Sequence, residues 1–428
     1  MEEYPVIVID NGTTTTKSGY AGDDSPRSCI PMVVARSKDK NSTQNAYVGD
    51  WALGKKNMHF SHPMEKGLIT NWDDMERIWN EIFFIELRVD PEENRILLTE
   101  SLFNPKQKRE KTTEIMFETF KTPAVYLIPS HCLPLYNLGR ETGTVIDMGS
   151  MSSCCCIIDG KIDRNSIKKL DVGGKEVTNF LQELLERKGY SLSNKIERVN
   201  VRDIKEKLSF CLTNNKQKMS SIEEIIKESG INSDEKYHQN YQLPDKQNLA
   251  IGKERFLSTE LFFRSKIEIL QLSGLVENKG NEKDKIMINQ KGYDKLEQKK
   301  VVVENENQIE SSDFNSSSLP NMIYKSILNC SSKEKEKTQK EMFKNIVISG
   351  GSSMFEGLQE RLTHELNLFW AENAPEIKVI APPERKFLAW VGGSILSELN
   401  KLQNKWFTKA EYNENGSSYV NIKCNDFL

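Results

Sequence analysis

Histidine is scarce in this chain, and its cysteines lack the spacing of a metal site. The 428 residues include five histidines and eight cysteines, with no C-x-x-C pair. Structural zinc sites bring four such ligands together at short, regular spacings. The sequence therefore excludes the common zinc motifs and a dithiol redox centre.

Long apolar runs and a strong charge imbalance are also missing. No run approaches the roughly 20 apolar residues of a membrane-spanning helix, and the opening MEEYPV is acidic, unlike a secretory signal. A net charge of −3 gives no reason to expect nucleic-acid binding. We expect no membrane span, no direct nucleic-acid contact, and a location in the cytoplasm or the nucleus.

Three consecutive cysteines, Cys154 to Cys156, remain to be explained. In a β-strand the first and third side chains share one face, and the second points to the other. At most two of the three could then reach one metal ion, where zinc needs four ligands. We interpret them as small apolar residues that fill a reduced interior.

Two segments of the chain share one plan. VIVIDNGTTTTKSGYAG (6–22) and GTVIDMGSMSSCCCIIDG (143–160) each contain a β-rich run ending in Asp, then x-Gly, short polar residues, a second strand and a glycine. This plan predicts two β-hairpins, each with an acid at the end of its first strand. The cysteines then lie in the outgoing strand of the second hairpin.

The two hairpin turns suit a phosphorylated ligand. Turns rich in Gly, Ser and Thr present N–H and hydroxyl groups to phosphate oxygens, and Lys17 adds a positive charge. Facing carboxylates of Asp10 and Asp147 could hold a hydrated magnesium ion. A third glycine turn, in NIVISGGSSM (345–354), runs from a strand to a helix and suits the sugar and base of a nucleotide.

The chain around these motifs resembles actin and the actin-related proteins. Matching blocks stand in the order that actin has: DNGTTTTKSGYAGDDSPR, GLITNWDDMERIW, ELRVDPEEN, LLTESLFNPKQKREKTTEIMFETF, VRDIKEKL, IAPPERKF and WVGGSIL. The resemblance spans residues 4–424, apart from a polar stretch at 277–318.

This resemblance implies an α/β fold of two lobes, each built on a ribonuclease-H-like sheet, with ATP and Mg²⁺ (or Ca²⁺) in the cleft between them. Residues 1–137 and 388–428 would form the first, outer lobe, and residues 138–387 the second, inner lobe. Asp10 and Asp147 would face the metal. By the same resemblance the nucleotide would contact Gly12, Thr13, Thr14, Thr15 and Lys17 in a first phosphate loop, Gly149, Ser150 and Met151 in a second, and Gly174, Arg202, Lys205, Glu206, Gly351, Met354, Phe355 and Lys386 around the adenosine.

Several residues depart from the actin pattern around the phosphates. Ser130, in a helix predicted for PAVYLIPSHCLPLY, stands where actins carry the glutamine that orients the attacking water, and His131 is predicted to face elsewhere. Cys154 replaces a histidine near the same water. Because phosphoryl transfer depends mainly on positioning, these changes predict slow or absent hydrolysis with binding retained. Thr14 and Met151 replace glycines and add a Cβ where the backbone approaches phosphate.

The segments that actins use in filament contacts are altered too. A polar SKDKNSTQNA (37–46) replaces actin's apolar loop, and RSKIEILQLSG (264–274), with three charges in its first five residues, replaces the apolar plug. A charge driven into a subunit contact is unfavourable unless it is paired. In 277–318, 30 of 42 residues are Lys, Glu, Asp, Asn, Gln or Ser, which predicts a disordered polar insertion; a partner-binding arm is the alternative.

These features predict an actin-related protein that binds ATP and magnesium and serves as a cytoskeletal structural or regulatory subunit. It would be a monomer or part of a hetero-complex, with actin or actin-associated proteins as partners. A first alternative is a filament-forming actin that hydrolyses ATP, which would need the water-orienting groups and a working longitudinal contact. A second is a nuclear scaffold subunit of a chromatin-remodelling complex, although 277–318 contains no basic import cluster. A kinase of the wider superfamily has no support, because no sugar-site motif is visible.

Overall fold

A computed structural model describes residues 4–38, 46–55, 58–192, 195–213, 237–276, 318–332, 334–370, 375–425 and 427. The predicted insertion lies outside the described residues except for Ser318, which caps the helix that follows. Residues 39–45 of the polar loop lie outside them as well.

The described residues form strands and helices that alternate along the chain. The strands are β1 Val6–Asn11, β2 Thr15–Tyr20, β3 Ser28–Pro31, β4 Val34–Ser37, β5 Tyr47–Val48, β6 Met58–Ser61, β7 Met64–Glu65, β8 Leu68–Ile69, β9 Arg95–Glu100, β10 Ala124–Pro129, β11 Gly143–Met148, β12 Ser152–Ile158, β13 Lys161–Ile162, β14 Lys168–Leu170, β15 Gln239–Gln242, β16 Asn248–Ile251, β17 Ile346–Ser349, β18 Val379–Ile380 and β19 Phe407–Thr408. The α-helices are α1 Gly49–Leu53, α2 Trp72–Asn80, α3 Lys106–Glu118, α4 Leu133–Asn137, α5 Gly174–Arg187, α6 Lys195–Leu208, α7 Glu254–Leu257, α8 Lys266–Leu272, α9 Leu319–Leu328, α10 Lys335–Lys344, α11 Leu358–Asn367, α12 Leu388–Glu398, α13 Asn400–Gln403, α14 Lys409–Asn415 and α15 Val420–Lys423.

The two large sheets repeat one arrangement. In the first sheet, in the order β19-β10-β9-β1-β2-β3, β1 is antiparallel to β2 and parallel to β9. In the second, in the order β13-β12-β11-β17-β18, β11 is antiparallel to β12 and parallel to β17. Each predicted hairpin therefore lies beside a parallel strand, which confirms the α/β fold and the two ribonuclease-H-like sheets.

The last segment of the chain returns to the first sheet. Strand β19 pairs with β10, and helix α12 packs against β1 and β9. The first four residues of β1 are almost completely buried, because a strand with a parallel neighbour and a covering helix has two apolar faces. The lobe boundaries at residues 137 and 387 remain a prediction.

The cysteine run lies in β12 and alternates between two cores. Cys155 packs with Val145 in the core that continues into the first lobe, whereas Cys154 and Cys156 pack with Ile146 on the opposite face of the sheet. All three cysteines are buried and free. Their interpretation as interior residues is confirmed.

The segment joining the two sheets differs from the single helix predicted for PAVYLIPSHCLPLY. Its first part is strand β10, a buried apolar run between β9 and β19, and a 3₁₀ turn at Ser130–Cys132 leads into α4. The helix prediction was wrong because it ignored this strand-like run, which ends at Pro129. Helix α4 is held close to α12, since a Cβ at Gly392 would lie 1.9 Å from the carbonyl oxygen of Leu133.

Candidate functional site

Asp10 lies at the end of β1, and two hydrogen bonds fix its carboxylate. Lys17 Nζ donates to one oxygen at 2.7 Å, and Thr99 Oγ1 donates to the other at 2.7 Å. Thr99 belongs to the neighbouring strand β9 and also accepts the backbone N–H of Asn11 at 3.2 Å. The carboxylate is therefore held in one orientation beside the first turn.

Asp147 occupies the equivalent position at the end of β11. Burial and the negative charge of Asp10 raise the pKa of Asp147 to about 7. Its Oδ1 would lie 2.6 Å from a Cβ at Gly350, which has φ +95°, so a side chain there would collide with the carboxylate. Two mutually repelling carboxylates make a site that a bound cation would stabilise.

The turns of the two hairpins touch each other. Thr13 Oγ1, in the first turn, accepts a hydrogen bond from Ser150 Oγ in the second at 3.0 Å, and from the backbone N–H of Gly67 at 2.8 Å. Beside them, Lys66 Nζ lies 3.0 Å from Asp171 of the segment that precedes α5. These contacts bring the two hairpin turns together, and their role as phosphate loops remains a prediction.

The third glycine turn and helix α5 close around the second loop. The Gly149 carbonyl accepts from the Gly174 N–H at 3.0 Å and from Ser352 Oγ at 2.8 Å. Lys205 Nζ, on α6, donates to the Gly174 carbonyl at 3.0 Å, and burial lowers its pKa to about 8. A Cβ at Gly351 would meet nothing within 4 Å, so the turn has an open side.

The remaining predicted nucleotide contacts lie at varied depths. In the first turn, the Gly12 N–H donates to the Asp10 carbonyl, the Thr14 carbonyl accepts from the Met32 N–H, and Thr15 begins β2. Met151 is half-buried in the second turn, and Arg202 and Glu206 form an ion pair at 2.7 Å. Met354 and Lys386 are exposed, whereas the ring centre of Phe355 lies 6.1 Å from that of Phe262. Phe355 therefore also belongs to the apolar core that includes Phe262 and Ile348.

The two positions predicted to lie near the attacking water are arranged differently. Ser130 is half-buried at the start of the 3₁₀ turn. Cys154 packs under α9 on the face of β12 opposite Asp147, and burial raises the pKa of its thiol to about 12. This corrects the expectation for Cys154, because alternate strand residues face opposite ways and the thiol points into the core.

His131, which the sequence predicts to face away from the attacking water, contacts the second hairpin. Its Nε2 lies 2.9 Å from Ser153 Oγ, and Ser153 pairs across the hairpin with Asp147. Neither this contact nor the supporting residues Thr99 and Ser352 are predicted by the sequence motifs. Thr99 could have been found as a hydroxyl at the end of a strand next to β1, but the other two contacts depend on tertiary packing.

The donor set suits a hard cation that keeps part of its water shell. Within the described ranges, no group of three or more His, Cys, Asp or Glu side chains could hold a metal. Two carboxylates are what magnesium uses when waters and phosphate oxygens complete its octahedron. Asp10 and Asp147 would hold such an ion, which would neutralise phosphate charge.

The fold defines a two-lobed α/β protein in which the turns of two Asp-x-Gly hairpins meet. The family model described as Actin matches residues 1–425. The chain belongs to the actin family. Across the described part of the chain, no helix has the length and apolar character needed to cross a membrane.

Proposed function

We propose that this actin-family protein holds ATP and Mg²⁺ between its lobes as a structural ligand, with weak or no hydrolysis and poor self-polymerisation. It would serve as a cytoskeletal structural or regulatory subunit that acts through actin or actin-associated partners in the cytoplasm. The observation that carries the proposal is the direct contact of the two phosphate hairpins, with Asp10 and Asp147 coupled electrostatically beside it.

Binding is tested most simply by thermal unfolding with and without ATP and magnesium. A ligand that binds only the folded chain adds RT ln(1 + [L]/Kd) to the free energy of unfolding, so a site with Kd near 10 μM adds about 2.7 kcal/mol at about 1 mM ATP. We expect a clear rise in the unfolding temperature. No rise at this concentration would mean that Thr14 and Met151 close the site, and the proposal would fail.

Slow hydrolysis is expected because two side chains at the water-orienting positions are unsuited to hold the attacking water. Ser130 is shorter than the glutamine that actins carry there, and the Cys154 thiol is buried on the wrong face to hold a water. Loss of positioning or acid–base groups typically slows a reaction on the order of 10² to 10⁴-fold. ATP should therefore remain intact for long periods after binding.

Poor self-assembly is supported by the segment at 264–274. Arg264 Nη1 pairs with Glu268 at 2.6 Å, and Lys266 pairs with Glu183 of α5. The segment forms helix α8, whose Ile269 and Leu270 are buried in the chain's own core. Apart from the exposed Ile267, its apolar side chains pack on the chain's own core, so it is poorly suited to act as an apolar plug between subunits.

Assembly gives a direct prediction. The purified protein should stay monomeric in magnesium and salt at concentrations where a conventional actin, run in parallel, forms filaments. High-speed sedimentation should leave it in the supernatant. A pellet that shows filaments by electron microscopy would contradict the proposed loss of polymerisation.

A further inference from the structure

One buried imidazole connects the joining segment to the second phosphate hairpin. His131 is 2% exposed, its Nε2 lies 2.9 Å from Ser153 Oγ, and its Nδ1 lies 3.4 Å from Ser130 Oγ. Ser130 begins the turn that leads into α4, and Ser153 belongs to β12 of the second sheet. The side chain therefore bridges two elements that meet beside the nucleotide-type site.

The bridge is chemically complementary. Burial lowers the pKa of His131 to about 4, so the ring is neutral at physiological pH and has one N–H donor and one acceptor nitrogen. A serine hydroxyl can donate or accept, so both nitrogens can be satisfied by their neighbours. A buried imidazole needs a partner for each ring nitrogen, and here the partner of Nε2 ties the joining segment to β12.

Ser153 gives the imidazole a route to the metal ligand. Ser153 is the cross-strand partner of Asp147, and directly opposite residues of an antiparallel pair have Cβ atoms about 4.5–5.5 Å apart on the same face. His131 is thus one side chain removed from the Asp147 carboxylate. Residues that support a metal ligand from outside its coordination shell orient that ligand and affect metal affinity.

We propose that His131 is a positioning residue for the magnesium–nucleotide complex: through Ser153 it holds the Asp147 hairpin where one cation can reach both Asp147 and Asp10. The inference rests on the proposed function. If His131 were merely structural, its substitution would destabilise the fold and weaken nucleotide binding equally with and without metal. A positioning histidine affects the metal-dependent part of binding.

Two amide substitutions distinguish the contact made by Nε2 of the imidazole from the contact made by Nδ1. A glutamine amide extends to about where Nε2 lies, so His131→Gln keeps the contact with Ser153. An asparagine amide lies near Nδ1, so His131→Asn keeps the Ser130 contact and loses the one to Ser153. The pair is matched in chemistry and differs by one methylene group, and ligand-free unfolding temperatures check that both variants fold.

The test is the affinity for a fluorescent ATP analogue, measured in magnesium and again in EDTA. His131→Asn should bind the magnesium complex about 10–100-fold more weakly, as is typical when an outer-shell partner is lost, while its affinity in EDTA changes less than about threefold. His131→Gln should stay close to wild type in both. Ser153→Ala should reproduce the loss, and combining it with His131→Asn should add little.

Two other outcomes would distinguish failure of the positioning role from failure of the proposed function. If His131→Asn keeps wild-type affinity in magnesium, or loses as much in EDTA as in magnesium, the positioning role is wrong although the proposed function stands. If the wild type itself binds no analogue in magnesium, the proposed function fails and this inference fails with it.

Discussion

The Asp10→Ala variant is expected to lose most of the stabilisation that ATP and magnesium give the protein. Asp10 supplies one of the two carboxylates for the cation, and losing even an outer-shell partner lowers metal affinity about 10–100-fold. With ligand at 100 times Kd, binding adds about 2.7 kcal/mol to the free energy of unfolding, and a site 100-fold weaker would add only about 0.4 kcal/mol. Unfolding is measured with and without the ligand in each variant.

Comparing the ligand-induced difference within each variant is necessary, because Asp10 also supports the empty fold. Its carboxylate pairs with the mostly buried Lys17 and accepts from Thr99, so the ligand-free Asp10→Ala protein should itself be less stable. Asp10→Asn retains an acceptor for Thr99 and loses the charge, and should show the same loss of ligand effect. Asp245→Ala, at an exposed turn between β15 and β16, is the control. A full ligand effect in Asp10→Ala would rule out the proposed cation site.

The Arg361→Met variant is expected to lower the free energy of unfolding by about 3–5 kcal/mol, the usual loss when one partner of a buried ion pair is removed. Arg361 is completely buried and donates to both carboxylate oxygens of Glu260 at 2.7 and 3.0 Å. Its Nε donates to Glu365 at 2.7 Å, and its guanidinium lies 4.2 Å from the centre of the Phe263 ring. Methionine would leave the buried Glu260 carboxylate without this partner.

Urea unfolding measures the change in the free energy of unfolding, and two further variants serve as controls. Glu260→Leu combined with Arg361→Met should recover part of the loss, because an apolar replacement of a buried pair is often tolerated. Arg187→Met removes a partly exposed pair with Glu183 and should have little effect. If Arg361→Met were no more destabilising than Arg187→Met, the buried pair would not stabilise the fold.

The sequence was sufficient where the signal is local. Each phosphate hairpin has a β-rich run, an Asp at its end and a glycine turn within seventeen or eighteen residues, so its form follows from neighbouring residues. The alternation of Cys154, Cys155 and Cys156 follows from the two-residue period of a strand. The pairing of the two hairpins through Thr13 and Ser150 agrees with the facing arrangement that the repeat implies.

Contacts between distant segments could not be predicted in the same way. His131 reaches Ser153 only because the joining segment is a strand and a tight turn, where the sequence pattern was interpreted as a helix. Likewise, the ion pair of Lys266 depends on α5, more than 70 residues earlier in the chain. Such partners are set by tertiary packing, which overrides local propensity.

The proposed retention of unhydrolysed ATP is tested most directly by identifying the nucleotide that the protein keeps bound. The chain is loaded with ATP and magnesium, freed of excess nucleotide by gel filtration, and sampled over time for bound ATP and ADP by chromatography. The Ser130→Gln variant, which restores the longer side chain, is measured in parallel. It should form ADP at least about tenfold faster than the wild type, which corresponds to an activation barrier about 1.4 kcal/mol lower. We expect one nucleotide per wild-type chain, remaining as ATP throughout. ADP forming in the wild type at the rate of a conventional actin run in parallel, or no retained nucleotide at all, would contradict the proposal.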